Sequence, residues 1–235
     1  MASIDESRSL EDRHTANGAE QMRGSLVGVA ALVTVISLVV ALLTVPPSDT
    51  PLLWARSLAR DPAQAWLSVT AFAVAEVASA LVLVGLARQL RGTPDRRSAL
   101  IAAGVGAAGF VANAALTIAA YASAIPRASA AIGQDADALG TVDAARAMVD
   151  GIDGVNVVLL GVALLVLVPA LSRAAKSPRW LTFVGLAAGI TALVGGLHPL
   201  VSPLAPVRVL SGVLYLVWLV GLGLRQLQGR RARQL

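Results

Sequence analysis

Few side chains of this chain can do chemistry, and those that can sit inside apolar stretches. Glu76 lies near the middle of residues 64–87, with Phe72, Ala73, Ser79 and Ala80 on its helical face. Asn113, within residues 98–123, shares a face with Gly106, Gly109, Thr117 and Ala120. Asp153 and Asn156 fall early in residues 153–172, His198 ends residues 180–198, and Tyr215 lies within residues 207–227. Inserting an ionisable group in such surroundings costs about 2.5–3.5 kcal/mol. That cost marks Glu76 either as a site for a proton, a cation or a ligand, or as a structural carboxyl hydrogen-bonded to Asn113 or a Ser/Thr hydroxyl. Asp153 also reads as a helix-start charge at the water boundary, and His198, followed by Pro199, as an interfacial residue ending a helix.

Catalysis finds little support. Glu76, Asp153 and His198 would be the set for a metal-dependent intramembrane hydrolase, but the only other histidine is His14, in the polar leader. No nucleophile stands beside a base, and the absence of cysteine excludes disulfides and thiolate chemistry. No metal, cofactor or catalytic residue is assigned.

The elements that must position these side chains are six apolar segments, at about 24–45, 64–87, 98–123, 153–172, 180–198 and 207–227. Each reaches or approaches the roughly 20 residues that a helix needs to cross a roughly 30 Å hydrocarbon core. A chain that is 56% hydrophobic and 14% charged, against roughly 25% charged in soluble domains, would be insoluble as a globule. The fold expected is all-α: a polytopic integral membrane protein built as a six-transmembrane-helix bundle over residues 22–229. The leader 1–21 is polar and without periodicity, and is read as a disordered cytoplasmic tail; residues 230–235 form a basic cytoplasmic tail. The 24–45 run is too long for a signal-peptide core, and the leader before it is rich in acids, so it is read as a retained span.

Orientation follows from where the 19 Lys and Arg residues fall. Arg8, Arg13 and Arg23 precede the first span; Arg88, Arg91, Arg96 and Arg97 lie in the second loop; Arg173, Lys176 and Arg179 in the fourth; Arg225, Arg230, Arg231 and Arg233 at the C-terminus. The alternate loops hold only Arg56, Arg60, Arg127, Arg146 and Arg208, together with Asp49, Asp61, Asp135, Asp137, Asp143 and Asp150. Both termini are therefore expected in the cytoplasm. All the polar residues named above except Glu76 then lie in the outer half, where they would line one outward-facing pocket with Tyr215 as a wall. The preference for Arg over Lys, with abundant Ala, Val and Gly, hints at GC-rich coding and a bacterial inner (plasma) membrane.

Four junctions pair a capping residue with a following proline: Thr50-Pro51, opening a short interfacial helix with Trp54 at headgroup depth; Asp61-Pro62, with Gln64 as capping-box partner; Thr93-Pro94; and Ser177-Pro178. Residues 125–150 are the longest connection, on the outer side; they read as a lid or, the favoured reading, a spacer, with a short amphipathic helix over Thr141–Val149. Pro169 either kinks the fourth span or marks its last turns. Gly104, Gly106 and Gly109 match a G-x-G-x-x-G dinucleotide pattern, but that fingerprint needs a strand before it. Inside a span, Gly106 and Gly109, like Gly185 and Gly189, are expected to let helices approach closely. No nucleotide is implied, and no nucleic acid, because the basic residues sit at helix ends rather than in a stripe interleaved with aromatics. Leu81–Val84 recurs as Leu165–Val168, and Ala107-Ala108-Gly109 as Ala187-Ala188-Gly189, a thin trace of hairpin duplication.

Gly161–Leu171, the turn Ser177-Pro178-Arg179-Trp180-Leu181, Gly185–Gly189 and Leu216-Val217-Trp218-Leu219-Val220-Gly221 before a basic tail resemble the bacterial multi-pass family catalogued as domain of unknown function 4386. The likeness lies mainly in residues 153–227. It implies the six-helix architecture and carries no activity. The function expected is therefore non-catalytic: binding of membrane lipids, another membrane protein or a second copy of the chain, in an envelope or signalling role. A small-molecule or ion transporter using Glu76 and the outer pocket is the alternative, and an intramembrane enzyme the second alternative.

Overall fold

A run with no charge from Gly24 to Thr44 leaves nothing to interrupt a helix, and in the computed structural model, which describes residues 24–46 and 50–231, it forms α1 (Gly24–Thr44). The remaining elements are α2 (Pro51–Arg60), α3 (Pro62–Gln89), α4 (Arg96–Ala124), a 3-10 turn (Ile125–Arg127), α5 (Ala128–Ile132), α6 (Ala136–Arg173), α7 (Arg179–Gly195), a 3-10 turn (Ser202–Leu204) and α8 (Ala205–Arg231). There is no strand among the described residues. Five stretches are long and apolar enough to cross a membrane: α1, α3, α4 continuing to Ile132, α6, and α8 with the turn before it. Helix α7, at 17 residues, is shorter. The leader expected to be disordered, Asp49 and most of the basic tail lie outside the described residues.

The six apolar helices follow one another antiparallel around a ring. Helix α1 meets α3 where Ser68 Oγ donates to Ala41 O at 3.2 Å and Gln64 Nε2 to Thr44 O at 3.3 Å. A Cβ at Gly106 of α4 would lie 2.7 Å from Leu83 of α3 and 2.9 Å from Ala163 of α6. Helices α6 and α7 pass backbone to backbone: a Cβ at Gly161 would lie 2.8 Å from both Gly189 O and Leu193 N, and one at Gly154 2.8 Å from Gly196 O. Gly185 is closed by Trp218 of α8, Gly189 by Leu164 and Leu165, and Gly109 by Leu159 and Asn156. The ring closes where α8 returns to α1, with Gly28 and Gly223 each set against the other's carbonyl.

Two cores result. The larger joins all six helices around Leu83, Leu86, Leu164, Leu167, Trp218 and Leu219; in it Tyr215 stacks between Phe110 and Trp218 with centroids 6.4 and 6.1 Å away. The smaller is a cap at the acidic end, made by α2, α5, the start of α6 and the adjoining ends of α3 and α4. Outward, large apolar side chains such as Leu43, Phe183 and Leu200 are exposed, as a lipid-facing surface requires.

Several sequence expectations change. Residues 125–150 are not a spacer: Asp135 caps α6 by accepting from Asp137 N and Ala138 N at 3.0 Å, and the helix runs unbroken through Thr141–Val149 into the span. Asp153 is accordingly a mid-helix residue rather than a helix-start charge. Trp54 does not face headgroups; it is buried and meets Tyr121 edge-on at 5.4 Å. Thr50 and Asp61 cap as expected, accepting from Leu53 N and Gln64 N, but the Gln64 side chain reaches α1 instead of closing a capping box. Thr93 turns back to Leu90 O, Pro94 lies in the turn before α4, and Pro178 is itself the N-cap of α7. Pro169 falls one turn before the end of α6. That end is a Schellman turn, Lys176 N to Leu171 O and Ala175 N to Ser172 O, with Ala175 at φ 54 where glycine is usual.

Because the Gly161 contact is with backbone atoms that cannot rotate away, Gly161→Ala should destabilise by about 1–3 kcal/mol. Gly104→Ala, where a Cβ would meet nothing within 4 Å, should stabilise by about 0.5–1 kcal/mol. Thermal unfolding of the two variants in detergent, scored against the unaltered protein, checks the contrast.

Candidate functional site

The residues singled out from sequence separate into two neighbouring groups. The first is a buried polar cluster in the ring. Glu76 of α3 is 7% exposed, Asn113 of α4 0% and Asn156 of α6 3%. Asn156 Nδ2 donates to Glu76 Oε2 at 3.0 Å, Asn113 lies beside the same carboxyl, and Thr117 Oγ1 donates to Asn113 Oδ1 at 3.5 Å. Positioning follows from the small residues: Gly109, one turn before Asn113, has no Cβ to obstruct Asn156, whose Oδ1 would lie 3.1 Å from one. Asn156 Oδ1 is buried with no hydrogen-bond partner among the described residues. Such an atom costs about 1–3 kcal/mol when nothing satisfies it.

The second group lies at the acidic end of an elongated cavity of about 520 Å³. Its walls are apolar: Leu38, Ala41 and Leu42 of α1 and Val45 just after it, Val209, Gly212, Val213 and Leu216 of α8, and Val69 and Phe72 of α3. Asp150, Asp153, His198, Arg208, Ser68, Thr117 and Tyr121 supply its polar atoms. Arg208 Nε donates to Asp153 Oδ2 at 3.1 Å and its Nη2 to the same oxygen, joining α6 to the first turn of α8. Asp150 has a longer pairing, with Arg146 Nη1 at 3.7 Å.

The single outward-facing pocket expected from sequence is therefore divided. Asp153 and His198 line the cavity; Glu76, Asn113 and Asn156 do not, and Tyr215 is a core residue of the aromatic stack rather than a wall. Thr117 belongs to both groups, as cavity lining and as the donor to Asn113. Sequence reasoning passed over Arg208, assigning it to a loop; a lone arginine in the first turn of an apolar helix was the signal that a carboxylate had to face it. Asp150 and the α1 and α8 walls carry no such signal, since leucine and valine on lipid-facing helices look alike whether or not a cavity lies between them.

Among the described residues no three His, Cys, Asp or Glu side chains gather as a metal site. The cluster can hold a buried carboxyl against two amides, and the cavity can take a molecule with an apolar body and a polar end.

Replacing Glu76 separates its two roles. Glu76→Leu removes the acceptor of Asn156 and should lower stability by about 1 kcal/mol. Glu76→Gln keeps an acceptor oxygen and should unfold near the unaltered protein, as read by thermal denaturation in detergent.

No family model, no curated protein and no solved structure matches the chain, so the resemblance over residues 153–227 brings no residue roles to either group.

Proposed function

We propose that the chain is a six-span membrane protein with both termini in the cytoplasm, and that it binds an amphiphilic molecule drawn from the surrounding lipid. The observation that carries this reading is the cavity itself. Its volume lies within the roughly 300–1,000 Å³ of small-molecule sites, and like them it pairs apolar walls with a few convergent polar groups. Val45, just after α1, and Val209 and Val213 of α8 are half to two-thirds exposed, so the cavity opens sideways between two lipid-facing helices and an amphiphile reaches it without leaving the membrane.

The sixth span in this reading is α7. Its 17 residues rise about 25 Å at 1.5 Å each, and it runs antiparallel between α6 and α8 in contact with both. The orientation rests on the loop charges, with Arg88, Arg91, Arg96, Arg97 and Arg173 at one end and Asp61, Asp135, Asp137 and Asp143 at the other. Membership of the family catalogued as domain of unknown function 4386 belongs to the same proposal and rests on the sequence of residues 153–227.

A second reading, a transporter, is favoured by one contact. Thr117 touches the cavity and donates to Asn113 beside Glu76, which places a buried carboxyl one amide away from a bound molecule. Loss of proton-coupled flux in Glu76→Gln at unchanged stability would select it.

The chain has no cysteine, so single cysteines report orientation directly. Asp143→Cys should react with a membrane-impermeant maleimide in intact cells, and Arg91→Cys only after permeabilisation; the reverse pattern would invert the topology. For binding, native mass spectrometry of protein extracted in mild detergent should find a retained amphiphile that is lost in Gly212→Trp. Gly212 lines the cavity and a Cβ there meets nothing within 4 Å, so a side chain at this position starts out in open space toward the cavity. Identical spectra for the two proteins would sink the proposal.

A further inference from the structure

We propose that the cavity selects a hydrophobic cation, an apolar molecule carrying a protonated amine or quaternary ammonium group, with that group seated beside Asp150 and Asp153. The inference rests on the preceding reading that the cavity binds an amphiphile, and assigns the chemistry of the ligand's head.

Charge complementarity comes first. The cavity is lined by two carboxylates, one guanidinium and the imidazole of His198, and Arg208 gives two donations to Oδ2 of Asp153. The next arginine outward, Arg146, is shared at long range between Asp150 at 3.7 Å and Asp143 at 3.8 Å, beyond the 2.7–3.2 Å of a hydrogen bond. The Asp150 side chain is 54% exposed and lines the cavity. An anionic head would meet an Arg208 whose charge is already balanced by Asp153 and would lie beside a second carboxylate, Asp150. A cation meets an existing excess of negative charge and disturbs no pair.

The remaining walls agree with that assignment. Phe72 and Tyr121 are the lining aromatics, and the faces of such rings attract cations within about 6 Å, quaternary ammonium groups included. Tyr121 is fixed by its edge contact with Trp54 at 5.4 Å, so this surface is preformed. Leu38, Leu42, Val209 and Val213 supply the apolar length along which the rest of the molecule lies.

Tetraphenylphosphonium and tetraphenylborate are nearly the same shape with opposite charge, and their equilibrium binding to the full-length protein in nonionic detergent tests the assignment. The phosphonium should bind saturably and on the order of tenfold or more tighter than the borate, a difference of about 1.4 kcal/mol or more. Asp150→Asn should erase most of that preference, and Gly212→Trp should abolish site binding of both ions. Equal or tighter binding of the borate, blocked by Gly212→Trp, overturns the cation assignment and leaves the amphiphile site standing. Binding of both ions unaffected by Gly212→Trp overturns the site as well. A phosphonium preference undiminished in folded Asp150→Asn also overturns the proposal. Should that variant not fold, the two ions on the unaltered protein decide alone.

Discussion

Between helices bathed in lipid, burying one apolar face against another gains little over lipid contact, so association depends on how closely backbones approach and on the polar groups they bring together. Helix α6 carries that constraint. Gly154 and Gly161 give it direct backbone contact with Gly196 and Gly189 on the α7 side. Its other faces carry Asn156 toward Glu76 and Asp153 toward Arg208. Any shift of α6 along its axis would separate both polar pairs at once, so the glycine seam fixes the polar cluster and the ion pair together.

The two ends of the ring are held differently, and the cavity is the outcome. At the basic end Lys176 Nζ donates to Gln89 O, Arg225 to Lys176 O, Gln226 to Gln89 Oε1 at 3.3 Å and Arg173 to Asp95 at 2.9 Å. These bonds tie α3, the α6–α7 turn, α8 and the start of α4. At the acidic end the cap of α2, α5 and the first turns of α6 binds α3, α4 and α6 to one another through Trp54, Tyr121, Val142 and their neighbours, but includes nothing from α1 or α8. Those two helices meet at Gly28 and Gly223, and toward the acidic end the cavity lies between them.

The helical membrane class was legible in the sequence because long apolar runs are a strong, local signal: five of the six form helices long enough to cross a membrane, and α7 is shorter. Capping was legible only in part: Thr50 and Asp61 precede helices that begin at the proline, whereas Thr93 and Ser177 lie in turns whose hydrogen bonds belong to the preceding helix or to Thr182. The cap was misread because Thr141–Val149 has its own amphipathic pattern, and nothing local reveals that its axis continues into the next apolar run. Glu76, Asn113 and Asn156 were singled out by the cost of burying them, a signal that polarity alone provides. Their separation from Asp153 and His198 depends on which way each helix is turned about its axis, and helices apolar on all sides do not encode that locally.

The seam between α1 and α8 has a consequence for biogenesis. Its two halves are the first and the last of the six apolar helices to be made, so α1 must wait with part of its contacts missing until α8 follows. Its lack of any charge from Gly24 to Thr44 makes that wait tolerable. The cavity does not exist until α8 joins α1, so whatever occupies it enters a finished bundle or is enclosed as the final helix arrives.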